Sequence, residues 1–260
     1  MYHHVSGETT AAPEPNHIDR RYSVTAEKFA EHVSALADQG YSTVPLDALI
    51  CDGPSITVAR PVVITFDDGY MSDLAVARPI LDRLGWGSEH FITTAWIGLP
   101  GFMTWQNLRN LVSKGHGVHS HSMTHTPFDK LSPSGVYNEL AVSKSLLQDG
   151  LGRPVHWIAI PGGHGDTRRV RRLAEAAGYR GMCTSQVGRN VPLSQPYAVR
   201  RISVTGAMTA EVIVRSAKGI GLKRAALIRS SYRAARRLLG AQRYDRVRAH
   251  LLQARTASPQ

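Results

Sequence analysis

Short apolar stretches and amphipathic helices take turns along most of this chain, and that alternation restricts its fold more than any other property of the sequence. Extended candidates fall at 41–44, 61–66, 89–94, 117–120, 156–160 and 179–184, with a weaker one at 199–204. Helices with readable ends lie between them. Thr25 can cap one that carries Phe29, Val33 and Leu36 on one face and stops at Gly40. Ser132-Pro133 opens another, striped by Val136, Leu140, Ser143 and Leu147, and Asp166 can cap a third that carries Val170, Leu173 and Ala177 before Gly178. Repeated alternation calls for parallel strands joined by crossover helices, in an open sheet or a barrel. With 260 residues, 42% of them hydrophobic, the chain is long enough for one main domain of that kind.

The charge is unevenly placed. Residues 1–214 hold 19 Lys+Arg against 19 Asp+Glu, whereas 215–260 hold 12 basic residues against Asp245 alone, so the tail supplies the whole net charge of +11. No uninterrupted apolar run reaches the roughly 18 residues a membrane span needs, and Met1-Tyr2-His3-His4-Val5 does not read as a signal peptide. A cytoplasmic protein is therefore expected; a start upstream of Met1 would open the way to export. Cys51 and Cys183 have no CxxC partner and read as two partly buried free thiols.

The chemistry concentrates at strand ends. Asp67-Asp68-Gly69-Tyr70 follows the apolar run Val62-Val63-Ile64, and His121 and His125 follow the 117–120 strand. An acidic pair ending a Val/Ile strand belongs at a sheet end, because an unpaired buried carboxylate is costly. Barrels of parallel strands carry their active sites at the strand C-terminal ends, which favours the barrel. The His121-to-His125 spacing lets one helical turn, or a tight loop, aim both imidazoles at one point. With one carboxylate they make three metal ligands and leave a position for water. The second carboxylate, kept off the metal, is placed to act as general base.

At these residues the chain resembles the polysaccharide deacetylases with NodB homology, carbohydrate esterase family four. Thr65-Phe66-Asp67-Asp68-Gly69-Tyr70 is similar to the family's first motif, residues 115–125 to its second and Ala159-Ile160-Pro161-Gly162-Gly163 to its third. Tyr2-His3-His4-Val5 looks like the opening of one branch, and the likeness extends over most of 1–205. The resemblance implies a distorted (β/α)7-8 TIM-like barrel over 1–206; charge and helical spacing make 207–260 a basic helical extension. The resemblance also implies a divalent metal on Asp68, His121 and His125: zinc in the first place, with Co2+, Ni2+, Mn2+ or Fe2+ as alternatives. Asp67 is then the base, and the reaction is hydrolysis of an N-acetyl group from an amino sugar in a glycan, exopolysaccharide or glycan precursor.

Two departures from the family pattern stand out. Ala159 occupies the place of an arginine that orients the base in many members, so base tuning must come from elsewhere. The late Leu-x-x-His motif that supplies a general acid is also missing, and His3 is the first candidate for that role. Tyr70 is expected to line the sugar site, and Pro161 and Gly162 to meet substrate or oxyanion. His119, Trp105 and Trp157 are expected to pack, and His164 to lie on a loop. Two alternatives remain: an amide hydrolase such as a deformylase acting on a lipid-linked sugar, and a degenerate protein that only binds glycan. Helical spacing of Ile228, Tyr232, Ala235 and Leu239 among arginines makes 215–255 a candidate for peripheral contact with an anionic membrane, or a solvated face packed on the barrel. Nucleic acid is a weaker partner, because the arginines are not interleaved with aromatic residues in a recognition motif.

Overall fold

The structure is a computed structural model that describes residues 1–7, 20–50, 56–163, 167–190, 195–223 and 226–227. Its strands are β1 His4–Ser6, β2 Ser23–Thr25, β3 Ser42–Thr43, β4 Pro61–Val62, β5 Thr65–Asp68, β6 Glu89–Ile92, β7 Gly117–Ser120, β8 Trp157–Ala159 and β9 Gly181–Cys183. Its helices are α1 Ala26–Asp38, α2 Leu46–Ile50, α3 Arg78–Asp82, α4 Trp105–Ser113, α5 Pro133–Leu151, α6 Thr167–Ala176 and α7 Ala210–Ala217.

Strands β5 to β9 lie side by side in chain order, every neighbouring pair parallel. This is an α/β fold whose parallel sheet curves into a half-barrel. Tyr2 bridges Phe66 at one edge and Val199 bridges Cys183 at the other. The Met1 amine donates to Ile202 O at 3.0 Å and Val204 N–H donates to Met1 O at 2.9 Å, which brings the two edges round to each other. The weak strand expected at 199–204 thus works as an edge piece. It bonds to β9 only around Val199, which explains its faint extended signal.

The helix ends follow local chemistry. Thr25 Oγ1 accepts from Lys28 N–H at 3.3 Å to start α1, and Ser132 Oγ accepts from Gly135 N–H at 3.1 Å to start α5. Gly152, with φ 66°, closes α5 in the left-handed conformation that glycine adopts without a Cβ penalty. Asp166, expected to cap α6, and His164 lie outside the described residues, as does Cys51.

Strand register sorts the side chains. Phe66, His90 and Val118 align on one face, while Asp67, Phe91 and His119 align on the other. The first face packs outward: Tyr2, Phe29, Val33, Phe66 and Leu81 form one buried cluster with α1 and α3, and Leu108, Val136, Leu140, Ile158 and Val170 form another under α4, α5 and α6. The second face encloses Phe91, Trp157, Ala159 and Cys183, plugged by Leu46 and Ile50 of α2. Trp157 is fully buried there and its indole N–H donates to Asp47 at 3.1 Å; Trp105 packs against the second outer cluster. Burial pushes the free Cys183 thiol up to about 12, which leaves it inert.

A compact unit runs from Met1 to Gly219 and includes α7, whose Ile213 joins the first cluster; a second unit runs from Ile220 to Gln260. Of the basic helical extension expected over 207–260, residues 210–217 form α7, and 224–225 and 228–260 lie outside the described residues. Among the described residues, no helix is long and apolar enough to cross a membrane.

Candidate metal centre

Asp68 ends β5, and the turn that follows β7 carries His121 and His125, so register brings the three to one end of the sheet. One ligand atom from each lies within 4.8 Å of the others. The Asp68 Oδ1 is 3.5 Å from His121 Nε2 and 3.3 Å from His125 Nε2. That oxygen is buried and accepts no hydrogen bond. An orphaned carboxylate oxygen facing two imidazole nitrogens is costly unless a cation joins them, and the donor set suits a borderline metal such as zinc. The residues therefore fit the implied ion.

The ligands are held from behind. His121 Nδ1 lies 2.9 Å from Ala159 O, which makes Nδ1 the donor and leaves Nε2 for the metal. The His121–His125 spacing is realised as a tight loop, not a helical turn. Glu139 of α5 clamps that loop by accepting from Met123 N–H (2.9 Å), Thr124 N–H (2.8 Å) and the Thr124 hydroxyl (2.6 Å). Asp68, Ser122 and His125 are the described non-glycine residues with left-handed φ, at 81°, 69° and 63°. Strained backbone of this kind persists only where its surroundings over-determine it.

Asp67 does not belong to the ligand triad; its Oδ2 lies 4.0 Å from His121 Nε2. Its partner is Arg201, whose Nη1 and Nη2 donate to the two carboxylate oxygens at 2.6 and 2.8 Å. Both side chains are buried. Burial alone would push the Asp67 carboxyl up, but the Arg201 guanidinium, with His121 and His3, holds it well below the usual carboxylate range. Asp68 goes the other way: burial, opposed by His3 and reinforced by the Asp67 charge, pushes it up to about 6. Burial pushes the His121 imidazole down to about 3, so it stays neutral and able to ligate.

Arg201 stands where the sequence offered no candidate. Its signal was present in the alternation of Val199, Arg201 and Ser203, which puts an arginine on the same face as an inward-pointing valine. Glu139 was likewise signalled, as a carboxylate three positions after Val136 on the buried face of α5.

The remaining candidates divide. His3 acts electrostatically on Asp67, Asp68 and His121, and its ring packs on Tyr22 with centroids 4.7 Å apart. Pro161 is buried and Gly162 exposed, in the turn just after the β8 residue that anchors His121. Tyr70 is corrected: it is 1% exposed, stacked on Phe102 and edge-on to His4, so its ring has no face left for a sugar. Its hydroxyl serves the site differently, through a hydrogen bond to the Asp68 carboxyl. His119 is packed as expected, 2.7 Å from Glu89 inside the half-barrel.

Residues 55–182 match the family model described as polysaccharide deacetylase. The segment 55–182 is a polysaccharide deacetylase domain by this match. YxkH of Bacillus subtilis (strain 168), a protein assigned by name to the polysaccharide deacetylases, is 27% identical over 212 residues, covering 80% of this chain and 71% of its own. The Streptococcus pyogenes deacetylase PplD, solved in complex with acetate, superposes with a TM-score of 0.72 at 21% identity, over 83% of this chain and 95% of its own. BC0361, a polysaccharide deacetylase from Bacillus cereus, gives a TM-score of 0.71 at 22% identity, over 83% and 67%. At these identities the two structures establish the half-barrel fold.

Proposed function

We propose that this protein is a metal-dependent hydrolase that removes an N-acetyl group from an amino sugar of a glycan or glycan precursor. The observation that carries the reading is the asymmetry of the two adjacent aspartates. Asp68 points a bare, buried oxygen at two imidazoles, while Asp67 is turned away and held ionised by Arg201. A divalent cation on Asp68, His121 and His125 would polarise the amide carbonyl and lower the pKa of the attacking water.

The protein's own groups supply the rest. Asp67 keeps lone pairs beyond the two that Arg201 occupies, and accepts the proton of the water. Gly162 N–H is assigned to the oxyanion, and His3 to the proton for the departing amine. Acetate as product accords with the PplD complex. Arg201 supports a working enzyme over a degenerate binder, since it restores the base partner that Ala159 lacks.

Acetate released by metal-loaded protein from chitooligosaccharides, peptidoglycan fragments and lipid-linked or nucleotide-linked N-acetylhexosamines tests the reading, with formate assayed in parallel for the deformylase alternative. Asp67→Asn is expected to retain metal and lose about 10²–10⁴-fold in rate; unimpaired release by this variant and by His121→Ala would refute the assignment. The proposed location is the cytoplasm, with 215–255 resting on an anionic membrane. Failure to co-sediment with anionic liposomes at low salt removes that part.

A further inference from the structure

A cavity of about 620 Å³ is distinct from the candidate metal centre in its lining, although the Arg201 that holds Asp67 forms part of its wall. Pro61 to Thr65, which precede and begin β5, line it, and Asp68, His121 and His125 do not, so it sits toward the N-terminal end of β5 while the ligands sit at the C-terminal end. Its walls are apolar, with Leu36, Leu49, Val62, Val63, Val204 and Ile213 among them. Arginine and lysine are the charged residues of its described lining, which includes no aspartate or glutamate.

Arg201 is one of these cations, but Asp67 neutralises it. The other four, Arg60, Arg189, Arg200 and Lys218, are exposed and sit where the structure gathers them. Arg60 Nη1 donates to Gln39 O and Lys218 Nζ to Gln39 Oε1, each at 2.6 Å, so both cations converge on one residue. Asn190 exchanges two 2.9 Å hydrogen bonds with the backbone of Arg200, which ties the Arg189 segment to the Arg200 segment. Among the described residues, no carboxylate forms an ion pair with any of the four.

We propose that this cavity binds a single-chain anionic amphiphile, its apolar tail between the valines and leucines and its phosphate or carboxylate head against Arg60, Arg189, Arg200 and Lys218. The volume lies in the range of small-molecule sites, and an apolar body with a few convergent polar groups is their usual make-up. A sugar would leave its hydroxyls unpaired against such walls. The chain's own C-terminal segment is a poor occupant, because 215–260 carries 12 basic residues against one acidic one and would meet a basic rim.

Titration of the full-length protein with the fluorescent fatty acid cis-parinaric acid tests the proposal. A saturable rise in emission is expected, reversed by farnesyl phosphate, dodecyl phosphate or laurate and not by dodecanol or dodecyltrimethylammonium. Displacement by phosphates alone or by laurate alone supports the site and identifies its head group. Val63→Trp, which fills the cavity, should abolish the signal, and Arg189→Glu with Arg200→Glu should weaken it about tenfold or more. Each variant is accepted only with a wild-type cooperative melt, and Val63→Ala serves as the conservative partner that keeps binding. Asp68→Asn should bind the probe like wild type, which separates this site from the hydrolytic reading. Absence of saturable binding, indifference to Val63→Trp, displacement by the alcohol or cation as readily as by the anions, or displacement by an acidic peptide lacking an apolar chain would each overturn it.

Discussion

Replacing Arg201 by methionine removes the guanidinium and keeps much of the apolar stem, so the consequence falls on Asp67. Both side chains are almost completely buried, at 5% and 2% exposure, and the pair is bidentate. Breaking a buried pair from one side leaves an uncompensated charge and costs about 3–5 kcal/mol. The sign of its pH dependence follows from the carboxyl itself. In the wild type its folded pKa lies below the unfolded value, so it contributes stability above the unfolded pKa of about 3.9 and loses it as pH falls through the folded value. Without Arg201, burial dominates and the folded pKa rises above the unfolded one, so the variant loses stability as pH climbs. The gap between the two proteins should therefore widen from pH 4 to pH 8 and reach the full 3–5 kcal/mol, roughly, at the upper end. Urea unfolding in EDTA at a series of pH values measures it directly, with Arg201→Lys as an intermediate case because a single ammonium cannot reproduce the fork. A gap that stays flat across this range, or below about 1 kcal/mol, would refute the argument that Arg201 holds the base ionised.

Metal affinity should rise with pH through about pH 6, because Asp68, pushed up to about 6, must release a proton to bind while His121 is already neutral there; chelator competition measured from pH 5 to 8 shows whether the rise is present. Glu139→Gln weakens the clamp on the ligand loop and is expected to reduce metal affinity about 10–100-fold with little change in melting temperature of the metal-free protein, checked by the same competition and a thermal melt. Gly117→Ala places a Cβ 1.6 Å from Glu89 Oε2, so the Glu89–His119 pair must move, and a loss of roughly 1–3 kcal/mol is expected by urea titration.

The strand and helix order was legible because the apolar run 61–64 leads into β5, because Phe91 and Ile92 mark β6, and because Thr25 and Ser132 start their helices with unambiguous chemistry. The candidate ligand set was legible for a different reason: Asp68 ends one strand while His121 and His125 lie in the turn after another, and parallel strands in register deliver their ends to one place. The partner of Asp67 could not be read in the same way. Arg201 sits in a stretch that pairs with its neighbours through scattered backbone bonds and one isolated bridge at Val199, and its link to Asp67 crosses 134 positions. Tyr70 was misjudged because sequence places an aromatic residue beside a site without saying whether its ring faces solvent. Here Phe102 and His4 claim both ring contacts.

That separation of 134 positions sets the order in which the centre can mature during synthesis. A growing chain has the three ligands once His125 has emerged, yet its would-be base carries no counter-charge until the stretch after β9 arrives and the sheet edges meet. In the proposed mechanism, cation capture and acid–base competence are thus separable events, the second waiting on closure of the sheet.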